Sequence, residues 1–174
     1  SSSFLSKSQR EEMSKRMGNI ANFQPSEISR KFRDFSHLGH FKANEYRLIL
    51  LYAAPVIFKG VLPPEHYDNF LKLSIATRIL SHGHKQFHDD ARKLVDEFLI
   101  GVENLYGREW FTLKFHLLTH LVDECERNGD MYSFSAYKFE SHMNVFNKEL
   151  QSHTRPLHQL YNRFIELNKK PNIF

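Results

Sequence analysis

Apolar residues recur along this chain at intervals of three and four, segment after segment, and no stretch alternates apolar with polar as a half-buried strand would. That periodicity predicts an all-α fold, a compact bundle of about six or seven helices with an extended N-terminal arm. The clearest helix covers 43–59, where Tyr46, Ile49, Leu50, Ala53, Val56 and Ile57 form a wide apolar face and Pro55 predicts a kink. Pro63 and Pro64 open the next helix, 64–81, because proline is tolerated in a first helical turn. A histidine-rich link, SHGHKQFH, leads to 86–106, closed by Gly107. Further helices are predicted over 109–127, ending at Asn128-Gly129, over 136–150, and over 156–168 after Pro156.

The front of the chain reads differently. Residues 6–17 form a polar helix ended by Gly18, and 26–35 follow Pro25 with Ile28, Phe32 and Phe35 at helical spacing. Neither segment has much to bury, so 1–40 is expected as a basic, loosely packed arm and 41–170 as the folded domain. Residues 1–60 carry ten Lys/Arg against five Asp/Glu, whereas 61–130 carry eight against twelve. Arg30, Lys31 and Arg33 form the basic cluster that would meet a nucleic-acid backbone, with solvated surface as the plainer reading. Tyr46, Leu50, Phe70, Phe98, Leu117 and Phe164 are the expected core anchors in a chain of sixteen phenylalanines. A single cysteine excludes an intrachain disulfide framework and fits a reducing compartment. No apolar run approaches the roughly 20 residues that span a bilayer. The seven glycines include no phosphate loop or dinucleotide fingerprint, and no small-molecule substrate is evident.

Chemistry gathers between Phe115 and Asn144. His116 and His120 lie one helical turn apart, so both can converge on one ligand. Zinc needs four ligands, of which this pair supplies two; the alternative is two histidines hydrogen-bonded within a helix interface. His84 and His88 repeat the spacing, with Asp89 adjacent, and could join the first pair if the two helices are antiparallel neighbours. Glu140 stands among Phe134, Tyr137 and Phe139, an unusual setting for a carboxylate without a charged partner. Magnesium-dependent phosphoryl chemistry needs several carboxylates around two metal ions, and the residues here do not assemble such a set.

The segment FHLLTHLVDECERNGDMYSFSAYKFESHMN resembles the last part of the catalytic core of CACTA-type cut-and-paste transposases, and more distantly that of the V(D)J recombinase catalytic subunit. FKANEYRLILLYAAPVIFKGVLPPEHYDNFLKLSIATRIL and VDEFLIGVENLYG are similar to the helical region upstream of it, so the resemblance covers roughly 30–168. It implies an RNase H-like nuclease with an Asp-Asp-Glu triad and two magnesium ions, with Glu140 as the glutamate and His116 and His120 as a zinc-binding pair. The family's two aspartates belong on strands, and this sequence predicts none. The expectation is therefore a transposase-derived helical domain without nuclease activity of its own, nuclear, acting on a protein or DNA partner or as a homodimer. The alternative is the C-terminal piece of an active transposase.

Overall fold

The computed structural model describes residues 5–24, 32–136, 143, 150 and 154–169, and these are all-α, with no strand among them. The chain divides into two compact units, Ser1–Phe134 and Ser135–Phe174. Among the described residues no helix is long and apolar enough to cross a membrane.

In the first unit α1 runs Lys7–Asn22. Ser6 caps it, its hydroxyl accepting from the Gln9 N–H while the Gln9 side chain accepts from the Ser6 N–H, a reciprocal box that satisfies two otherwise orphaned donors. Gly18 does not end this helix, which continues for a further turn. Nor is α1 loosely packed. Met13 and Met17 are buried with Phe41, Ile49, Ala53, Ile57 and Val61. Gln9 Nε2 donates to Val61 O at 2.7 Å, and Arg16 Nη1 to Lys59 O at 2.6 Å. Within the predicted arm, Lys7–Asn22 is thus a packed helix, because two methionines four residues apart give a polar sequence just enough apolar stripe to dock.

After a 3₁₀ turn at Phe35–His40, the predicted 43–59 helix appears as α2 (Ala43–Leu48), a π-helical turn (Ile49–Ala53) and α3 (Ala54–Phe58). Pro55 is the cause. It has no N–H to offer the carbonyls four and five residues back, those of Leu51 and Leu50. Both are satisfied from α4 (Pro64–Ser81): Ser74 Oγ donates to Leu50 O at 2.8 Å, and Arg78 Nη2 donates to Leu51 O. Tyr67 OH adds a third bond, to Pro55 O at 2.8 Å. A break that would cost free energy if buried unpaired becomes the seam that joins α4 to the front of the unit.

α4 then packs along α5 (His88–Tyr106). Asn69 faces Gly101 and Lys72 pairs with Glu97 at 3.1 Å, a descending register that makes the two helices antiparallel. Ala76, Leu80, Ala91, Val95, Phe98, Leu99 and Val102 form the main core, closed by Val122 and Cys125. Phe98 is buried as anticipated, but Tyr46, Leu117 and Phe164 are exposed. Helical spacing alone does not say which side of a helix is covered; Tyr46 is half-exposed although its ring meets Phe41 edge-on at 5.7 Å. In the second unit α8 covers Pro156–Lys169. The predicted 136–150 helix and most of 26–35 lie outside the described residues.

Candidate interaction face and histidine pair

The segment after α5 changes direction at Gly107, whose φ of 93° suits glycine and few other residues. A 3₁₀ turn (Arg108–Trp110), α6 (Leu113–Leu118) and α7 (Leu121–Asn128) follow. The single helix predicted over 109–127 is therefore broken near its middle. Thr119 explains the break: its N–H and its hydroxyl both bond His116 O, at 3.0 and 2.7 Å, so the His120 N–H turns to Leu117 O instead.

The tightened turn keeps His116 and His120 together, with ring centroids 5.3 Å apart and planes at 88°. Both side chains are exposed. Nothing described completes a metal site around them; among the described residues no group of three His, Cys, Asp or Glu could hold an ion. Asp123, the nearest acidic candidate along α7, is held by Arg92 Nη1 at 2.6 Å, a bond that keeps its carboxyl below the usual carboxylate range. Cys125 points into the core. The described residues around the pair do not supply a four-ligand zinc centre. His84 and His88 do not join the pair: His88 is buried, with Nδ1 4.0 Å from Glu126 Oε1, while His84 is exposed.

Cys125 is fully buried, and burial, then the carboxylates of Asp130, Glu124 and Glu126, pushes its thiol up to about 11. The folded state thus disfavours the thiolate, the reactive species. Burial as the neutral thiol stabilises the fold below the unfolded value of about 8.5, and that contribution is lost as pH rises through 11. Iodoacetamide at pH 8 should accordingly leave Cys125 untouched until denaturant is added. Labelling of the native protein at the rate of a free thiol would contradict the burial.

Of the basic cluster, Arg33 is described, and its Nε and Nη2 are engaged. Its guanidinium takes the buried Glu45 carboxylate through two bonds, Nε to Oε1 at 2.8 Å and Nη2 to Oε2 at 2.9 Å, donates to His40 O and lies 5.2 Å above Phe41. Glu45 in turn accepts from the Lys42 N–H at 2.8 Å, so the pair fixes the start of α2. Arg30, Lys31 and Glu140 lie outside the described residues.

What sequence reasoning missed is the face beside the histidines. Trp110, Leu113 and Leu117 are 59%, 71% and 57% exposed. The signal was available in the run REWFTLKFHLL, which has more large apolar positions than one buried stripe of a short helix can use. No family model, curated protein or solved structure matches this chain.

Proposed function

We propose that the chain is a transposase-derived helical domain that works in the nucleus as an interaction module, and that its partner is a protein. The observation that carries this reading is the exposed apolar pair Leu113 and Leu117, one turn apart on α6, with Trp110 exposed in the turn before it. Large apolar side chains gathered on a monomer's surface mark interaction sites far more often than catalytic ones, and tryptophan is among the residues that dominate binding energy. The engagement of Arg33 with Glu45 favours a protein over DNA as the partner. The ancestry rests on the ordered resemblance over roughly 30–168.

The test uses the natural full-length protein in nuclear extract. Changing Leu113 and Leu117 together to Asp should reduce the recovered partner at least tenfold while leaving the circular-dichroism spectrum unchanged. Recovery that survives the double change overturns the assignment of the face. The competing reading, a working transposase in which Glu140 holds magnesium, predicts strand cleavage that Glu140→Gln abolishes. Observing that loss would replace the interaction module with the enzyme. Retention of DNA with a steep salt dependence would instead restore DNA as the partner.

A further inference from the structure

We propose that the cavity between α1, the 3₁₀ turn and the run from α2 to α4 holds the alkyl tail of a fatty carboxylate, whose head group pairs with Arg10. The cavity measures about 440 Å³, inside the range of roughly 300–1,000 Å³ typical of small-molecule sites. Met13 of α1, Phe35 of the 3₁₀ turn, Leu50 of the π-helical turn, Phe58 of α3 and Phe70 of α4 line it, and none of these side chains has a hydrogen bond to offer. The π-helical turn that Pro55 forces is part of the wall, and such turns occur frequently at functional sites.

The head group is set by what remains polar. Arg10 and Tyr46 are the polar residues of the lining. The Tyr46 hydroxyl is already used, donating to Leu38 O at 2.6 Å. Arg10 is exposed where it lines the cavity, so its guanidinium stands on the open side. The neighbouring carboxylates of α1 are taken: Glu12 accepts from Arg16 Nε at 2.7 Å, and Glu11 lies 3.8 Å from Lys7 Nζ. Among the described residues no acidic group pairs with Arg10, and none lines the cavity. Residues 1–60 carry ten Lys/Arg against five Asp/Glu, so the surrounding field also favours an anion. A carboxylate suits a lone guanidinium because the two can join through parallel hydrogen bonds.

The tail is set by the rings. Phe58 meets Phe70 edge-on at 5.0 Å and lies tilted against Phe35 at 6.3 Å. These rings pack on one another and leave no pair of parallel faces to sandwich a flat ligand, whereas a flexible alkyl chain threads the space between them. An apolar slot with one cation at its opening is thus complementary to an apolar chain that ends in one negative charge. Trp110, Leu113 and Leu117 are not among the walls, so this inference stands or falls separately from the interaction face.

The experiment titrates decanoate into the protein by isothermal calorimetry, below its micelle concentration, beside decanol and decyltrimethylammonium, which keep the tail and change the head. Decanoate should bind saturably, one per chain, about tenfold more tightly than decanol, the worth of one charge-assisted bond to an exposed cation. The ammonium should bind more weakly than decanol. Each methylene buried strengthens binding about fourfold, so hexanoate should be at least about tenfold weaker than decanoate. Arg10→Gln, a change to an exposed side chain, should bring decanoate and decanol to equal affinity. Leu50→Trp, which fills the cavity, should abolish binding in a protein that still melts cooperatively. Absence of saturable binding overturns the site. Equal affinity of decanoate and decanol for the natural chain overturns the role of Arg10, and ammonium bound as tightly as carboxylate overturns the anionic class. These comparisons need no variant, so they hold even if Leu50→Trp unfolds the protein.

Discussion

Replacing Phe98 by alanine should be the most damaging single truncation in this chain, lowering stability by about 3 kcal/mol and the melting temperature by roughly 10 °C. Phe98 is 7% exposed and packs among Ala76, Leu80, Val95, Leu99 and Val102 at the centre of the main core, with the Phe115 ring 6.2 Å away. Removing its ring forfeits the burial of a large apolar surface and leaves a void that helices pinned at both ends cannot close. The figure sits at the lower end of the range for buried phenylalanines, about 3–5 kcal/mol, because one edge of the ring already faces an adjoining cavity between α4 and α5. Urea unfolding of the purified protein measures it. His116→Ala and His120→Ala supply the contrast, since exposed side chains away from packing usually change stability by no more than about 0.5 kcal/mol. If either histidine change instead matched Phe98→Ala, and a chelator lowered the melting temperature of the unaltered protein, a bound metal would be holding the fold and the two-ligand description of that pair would fail.

Phe98 was also legible from sequence, and the reason distinguishes what a sequence yields from what it withholds. Residues 86–106 place Ala91, Leu94, Val95, Phe98, Leu99 and Val102 at one helical period in an otherwise polar helix, so only one face could turn inward. The helix observed is His88–Tyr106. α4 was bounded correctly for a similar reason, since the prolines before it and the SHGHKQFH link after it are local signals. Tyr46 and Leu117 failed as anchors because their helices carry apolar residues on more than one side, and periodicity cannot say which side is covered. The break at Thr119 depends on where one hydroxyl donates. The pairing of Arg33 with Glu45 spans twelve positions and belongs to tertiary structure. At the candidate site, the sequence brought His116 and His120 together correctly, while the exposure of Trp110, Leu113 and Leu117 depends on which helices do not reach them. A pattern on one helix records the need for burial; the neighbour that meets that need is encoded elsewhere.

Gly101→Ala carries the second large effect, and its sign is the informative part. In an ordinary helix interior this change stabilises by about 1 kcal/mol, since alanine loses less backbone freedom on folding than glycine does. Gly101 sits within α5, so propensity alone predicts a gain. Its added methyl would however stand 2.0 Å from Asn69 Oδ1 and 2.5 Å from Asn69 Cγ, far inside contact distance. Asn69 is nearly fully buried in α4 and its carboxamide has little room to swing aside. Either the side chain leaves its rotamer or α4 and α5 separate, and overpacking of this kind costs typically 1–3 kcal/mol. We expect a net loss of about 1 kcal/mol, the overpacking cost less the propensity gain, measured by urea unfolding against the unaltered chain. The pair Asn69→Ala with Gly101→Ala should recover most of that loss, because the second methyl then occupies the space the carboxamide vacates. A coupling of at least 1 kcal/mol in this cycle would place the cost in the close approach of the two helices. Additive changes would mean that Gly101 is tolerant after all, and that the antiparallel packing of α4 on α5 does not depend on a missing side chain.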